Sequence, residues 1–280
     1  MNPGWGNVTW AHRRDAGTDI YFLANSGTSA VQQVVSFRVA GSRPEAWDPL
    51  TGTHRDLPEW SAEGAVTHVP LRLEPSGSVF VVFRAAGAAG GVQQPRGPAT
   101  GNENAPDWKS VLEITGPWQV TFAPQVSGKG GQPPPVASFS AAFESLVDWT
   151  KRPEPEIRHH AGEATYRTTL VVPESVLRVA GPLALDLGVV KEIAAVRING
   201  KPLGTAWCQP WRVDVGEALR PGENQLEIDV VNLWRNRLIG DAAKPADERV
   251  TRTTIVAAPT EPLLPSGLLG PVRLVRAGGP

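Results

Sequence analysis

The chain has 280 residues, enough for one large or two medium domains. Its 27 Lys and Arg against 28 Asp and Glu leave a formal net charge of −1, which excludes the broad positive field that would hold nucleic acid or an anionic membrane surface. A single cysteine, Cys208, excludes an intrachain disulfide and a cysteine-based structural zinc site, and no stretch reaches the roughly 20 apolar residues of a membrane span.

The 29 Gly and 27 Pro mark many turns and few long helices, so the composition points to β structure. Ten Trp stand against two Tyr and seven Phe. An indole presents a flat apolar face that stacks on sugar rings, although for any single Trp burial in a core is the plainer role. Met1-Asn2-Pro3-Gly4 lacks the basic and apolar segments of a secretion signal. Two readings stay open: the chain is cytoplasmic, or its true start lies upstream, and then a longer parent protein is expected to be periplasmic or secreted.

In chain order, short β-rich runs bounded by turn residues appear at Asp19–Asn25, Gln33–Val39, Val66–Leu73 and Ser78–Arg84. The second and third alternate apolar and polar residues, as half-buried antiparallel strands do. Four or five such strands predict a small β-sandwich over residues 1–85. Because Met1 falls just before a strand, that domain reads as truncated at its N-terminus. Residues 86–107 are rich in Gly, Ala and Pro, a linker composition. A second Gly- and Pro-rich stretch, Ser127–Pro135, reads as an exposed loop.

Strand signals continue at Trp118–Phe122, Ala164–Val172, Leu183–Leu187, Ile193–Ile198, Trp211–Val215, Gln225–Val231 and Gly270–Val275. Asn199-Gly200, between two of them, is the dipeptide that best accepts the positive φ angles of a tight hairpin. Pro221-Gly222 presets a turn, and Asp214 falls on the solvent side of its strand. The second domain, residues 108–277, is therefore expected to be a jelly-roll sandwich, and the fold class is all-β.

Independent chemistry is sparse. A glycosidase needs two carboxyl groups about 5 to 10 Å apart; Glu154 and Glu156 flank a proline in a polar loop, and Asp247-Glu248 reads as exposed. His159-His160 would face opposite ways in an extended segment and so would not share one metal. No phosphate-binding loop, dinucleotide fingerprint or nucleophile elbow occurs, so no cofactor is assigned. The densest group of sugar-recognition side chains is Trp234, Arg235, Asn236, Arg237 and Asp241, which could donate to hydroxyls, accept from them and stack. Its structural alternatives are a loop locked by an Arg–Asp pair, or one docked on another domain. Trp207 and Trp211 are further candidates for stacking.

Four blocks fall in one order: Gly162, Tyr166 and Val172-Pro173; Val196–Lys201 with Gly204; Pro210–Val215; and Leu219–Leu226 with Val230-Val231-Asn232. They resemble the sugar-binding jelly roll of family 2 glycoside hydrolases, a galactose-binding-like fold. Ile114–Phe122, Asn232–Asp241, Leu263–Val272, and His12-Arg13-Arg14 leading into Asp19–Asn25 resemble the C-terminal portion of family 106 glycoside hydrolases, the α-L-rhamnosidases. In that family a pair of glutamates on a (β/α)-barrel performs hydrolysis, with calcium at the sugar site. This chain shows no βαβ alternation and lacks the roughly 200 residues a barrel needs. The resemblance implies a non-catalytic region whose partners are a parent catalytic barrel and a carbohydrate such as a rhamnose-containing glycan. The alternatives are a free-standing carbohydrate-binding module and a structural adaptor for another chain. No Asp-rich run marks a calcium loop in this sequence, and metal is left unassigned.

Overall fold

A computed structural model of the chain describes residues 6–40, 42–84, 104–105, 107–124, 137–251 and 253–278. They form two units, one reaching Trp108 and the other covering Lys109–Ala277.

Among the described residues the first unit holds β1 (Val8–Asp15), β2 (Thr18–Asn25), β3 (Val31–Phe37), β4 (Pro44–Trp47), β5 (His54–Asp56), β6 (Ser61–Glu63), β7 (Val66–Leu73) and β8 (Ser78–Phe83). A five-stranded sheet in the order β1-β2-β8-β4-β5 accompanies a three-stranded one, β3-β7-β6. Alternation decides which side of each strand is buried: β7 turns Thr67, Val69, Leu71 and Leu73 inward and leaves Arg72 outside. These side chains meet Tyr21, Leu23, Phe37, Leu57 and Phe83 in one core. The edge strand β1 carries His12, Arg13 and Arg14 in exposed positions, and such charges discourage another chain from pairing there. Eight strands, rather than the expected four or five, build this sandwich, because β4, β5 and β6 have only three or four residues and show no readable alternation. The range expected as a linker, residues 86–107, takes in Asn104 near its end. Asn104 is buried in this unit, where its side chain accepts from Glu59 N (3.0 Å) and donates to the carbonyls of Glu59 (2.6 Å) and Pro70 (2.9 Å). Most of that linker, and the Ser127–Pro135 loop, lie outside the described residues.

The second unit comprises β9 (Trp108–Ile114), β10 (Trp118–Phe122), β11 (Phe139–Phe143), helix α1 (Pro155–Arg158), β12 (Glu163–Val172), α2 (Glu174–Arg178), β13 (Leu183–Asp186), β14 (Val189–Lys191), β15 (Ile193–Ile198), β16 (Lys201–Ala206), β17 (Arg212–Asp214), β18 (Gly222–Val231), α3 (Arg235–Ala242), β19 (Gly267–Gly270) and β20 (Val272–Ala277). A six-stranded sheet, β11-β10-β12-β18-β15-β16, and a four-stranded sheet, β17-β13-β20-β9, share one core. Its centre is aromatic and aliphatic: Phe122, Phe143, Trp149 and Tyr166 with Leu185, Ile198, Leu226 and Ile228. Each large side chain buried there stabilises the fold by roughly 2 to 3 kcal/mol relative to exposure.

β12 and β18 are paired antiparallel over ten residues, from Glu163↔Val231 to Val172↔Gly222. β18 buries Asn224, Leu226, Ile228 and Val230 in strict alternation. The β15–β16 hairpin closes at Ile198↔Lys201 through Asn199 (φ 53°) and Gly200 (φ 79°), the pair of positive angles that the Asn-Gly dipeptide allows. Asn199 also anchors the turn: its Oδ1 accepts from Gln225 N (3.0 Å), and its Nδ2 donates to Ala218 O (3.0 Å). The all-β class holds, in antiparallel sheets.

Candidate functional site

The segment from Trp234 to Asp241 is helical, not a loop, and α3 is held by a polar knot that joins four stretches of chain. Asp148 starts the knot. Its Oδ1 accepts from Thr150 N (2.9 Å), capping a single helical turn, and from Ser266 N (3.0 Å). Trp149 N donates to Ser266 O (3.0 Å). The Ser266 hydroxyl accepts from Asn236 Nδ2 (2.9 Å) and Asn232 Nδ2 (3.3 Å) and donates to Leu264 O (3.2 Å). Asn232 closes the circle by accepting from Gly162 N (2.9 Å) and donating to His160 O (2.9 Å). Asn236 pairs with both backbone groups of Leu264, accepting from its N (2.8 Å) and donating to its O (2.6 Å).

Beneath the knot the Tyr166 hydroxyl accepts from Trp149 Nε1 (2.5 Å) and Leu268 N (3.2 Å). Burial raises its pKa far above the phenol range, so it stays protonated and serves as a hydrogen-bonding post. Gly267, at φ 97°, lies against the Trp149 indole, and a Cβ there would sit 2.3 Å from Nε1. His160 is enclosed by Phe122 and Trp149, both edge-on to its ring, with Nε2 3.1 Å from Glu163 O. Burial lowers its pKa to about 4, so at neutral pH the ring is uncharged and Nε2–H donates to that carbonyl. The expected extended segment at His159-His160 is therefore the end of α1, with His159 as its C-cap. His159 packs so closely on α3 that a Cβ on Gly240 would lie 2.7 Å from its ring. These contacts account for the polarity of α3 without a ligand.

The predicted sugar-contacting residues separate accordingly. Asn236 is consumed by the knot. Arg237, 4% exposed, stands 3.9 Å from Asp241 one turn later in α3, and Asp241 Oδ2 accepts from Thr251 N (2.6 Å) and Oγ1 (2.7 Å). Nε and Nη2 of Arg237 and Oδ1 of Asp241 are buried with no hydrogen-bond partner among the described residues, and desolvation lowers the Arg237 pKa. Arg235 pairs with Glu261. Trp211 belongs to the core and donates from Nε1 to Glu192 O (3.2 Å), so its ring offers no stacking face. Trp234 (55% exposed) and Trp207 (60%) do present open indoles. Sequence reasoning placed Asn236, Arg237 and Asp241 together but missed Asp148, which carries no recognisable spacing, and gave Ser266 no role although it lies in the Leu263–Val272 block. Tyr166 and Asn232 stood within the resemblance blocks, though without a role.

The carboxylates weighed for catalysis are committed or exposed: Glu154 pairs with Arg152 at 2.7 Å, and that bond lowers its pKa. Among the described residues no three His, Cys, Asp or Glu side chains converge, so they build no carboxylate cradle for calcium.

Residues 2–60 match the family model described as alpha-L-rhamnosidase, glycosyl hydrolase family 106, and residues 134–259 match that of the glycosyl hydrolase 2 galactose-binding domain-like module. The solved structure of a rhamnosidase from Novosphingobium sp. PP1Y is 36% identical and covers 96% of this chain with a TM-score of 0.75. The match spans 25% of that rhamnosidase. A curated protein of Formosa agariphila described as a putative beta-glucuronidase is 34% identical over 187 residues, 58% of this chain and 15% of that protein. The chain thus resembles family 106 glycoside hydrolases, by the family model over residues 2–60 and by fold over nearly its whole length, and its second unit is a jelly roll of the galactose-binding-like kind.

Proposed function

We propose that this chain is a non-catalytic β region of an α-L-rhamnosidase-like glycoside hydrolase, supporting a catalytic barrel and adding surface that contacts glycan. The observation that carries this reading is the close match of nearly the whole chain to one quarter of a rhamnosidase. The side chains that could have formed a separate polar site agree with it, since Asn236 and Asp241 hold loops in place. A region that braces a neighbouring domain needs rigid loops, and hydrogen bonds among Asp148, Asn232, Asn236 and Ser266 supply that rigidity.

The test is an assay of the purified chain on an aryl α-L-rhamnoside. No turnover is expected. Turnover that disappears when a carboxylate of this chain is substituted would sink the reading. A free-standing carbohydrate-binding module is the second reading, favoured by the open indoles of Trp207 and Trp234.

A further inference from the structure

The outer face of the six-stranded sheet carries polar groups that are fixed in place yet still reach solvent, close to an open aromatic ring. At one end of the sheet Val231 of β18 lies opposite Ile193 of β15. Ala194 pairs with Ala206, the last residue of β16, and Trp207 follows it directly in the chain. Ala194 and Ala206 are buried, and alternation turns the next residues outward. Ile193 (41% exposed) and Val231 (38%) form an exposed apolar pair across two strands, and Trp207 (60%) stands just past the end of the third, β16.

Beside this pair runs a lattice of ionised side chains on the same face. Arg197 donates from Nη1 to Asp229 Oδ2 (2.6 Å) and from Nη2 to Oδ1 (3.1 Å), and Thr165 Oγ1 donates to Oδ1 (2.8 Å). Arg167 Nε donates to Glu227 Oε2 (2.8 Å), which also lies 3.7 Å from Arg197. All of these charged groups keep part of their surface in solvent.

We infer that this face binds a chain of pyranose sugars, with a ring stacked on Trp207 and hydroxyls bonded by Arg197, Asp229 and Glu227. Sugar hydroxyls both donate and accept, so alternating guanidinium and carboxylate groups suit them. The ion pairs have already restricted the side chains, which lowers the ordering cost of binding. A protein-docking core would instead be depleted of charge, and the exposed apolar pair with Trp207 is small. The inference rests on the glycan-contacting part of the proposed function, and places that contact on the sheet rather than on α3.

Calorimetric titration of the full chain with a rhamnogalacturonan oligosaccharide tests it. Binding should weaken at least ten-fold in Trp207→Ala, recover in part in Trp207→Phe, and remain unchanged in Trp234→Ala. Unaltered affinity in Trp207→Ala overturns the inference, as does a wild-type chain that binds none of the oligosaccharide. Self-association of the wild type that Trp207→Ala relieves, without sugar binding, also overturns it and assigns these residues to a protein partner. Aryl-rhamnoside turnover on the same sample reports separately on the non-catalytic reading, so the two can fail independently.

Discussion

At His160 a titratable side chain serves as a packing group. Its pKa falls from 6.5 to about 4 because burial between Phe122 and Trp149 disfavours the charged ring. Below pH 6.5 the unfolded chain binds a proton that the folded one refuses, so stability is complete above that pH and is lost as pH falls toward about 4. The loss approaches roughly 3 kcal/mol by the lower limit. Urea unfolding of the second unit between pH 7 and pH 4 should show it, and His160→Gln should flatten that slope. Gly267 makes a sharper demand. Its positive φ and the Trp149 ring leave no room for a Cβ, so Gly267→Ala should cost about 3 kcal/mol in chemical denaturation. Neither residue stands out in the sequence: a His beside another His and a Gly in a Pro-Ser-Gly run look like loop material, and only their neighbours in space decide otherwise.

Among the elements, α3 departs furthest from sequence expectation. Its residues Arg235-Asn236-Arg237 and Gly240-Asp241 carry no apolar stripe, so helical periodicity is invisible. Hydrogen bonds from Asn236 to Leu264 and Ser266 hold the helix instead of an apolar face. Asn236→Ala should leave the Leu264 N–H unpaired and its carbonyl with only the Ser266 hydroxyl, and destabilise this region by about 2 kcal/mol. Hydrogen exchange should then quicken in α3 and around Ser266 before the sheets respond. The β15–β16 hairpin is the opposite case. Asn199-Gly200 states its turn in two letters, because few residue pairs tolerate two consecutive positive φ angles. Long strands such as β7, β12 and β18 were legible from alternation, whereas β14 and β19, of three and four residues, exist only because they pair with each other.

At the scale of the molecule the described residues build two hydrophobic cores, one in each unit. Calorimetry should therefore resolve two unfolding transitions. Leu57→Ala should lower one of them and Leu185→Ala the other, each by about 3 kcal/mol, and a shift of both by either substitution would contradict independent cores.

The sequence by itself determined the all-β class, the longer strands, the hairpin at Asn199-Gly200 and the glycoside hydrolase family resemblance, since each is written in periodicity or in short local motifs. Only the tertiary structure decided what the candidate site residues do. Asn236 and Asp241 became loop anchors and Trp211 became core, while Ile193 and Val231 came to lie opposite each other. The reason is physical: a polar side chain meets its partner through contacts between distant segments, such as Asp148 with Ser266, and sequence spacing carries no record of them.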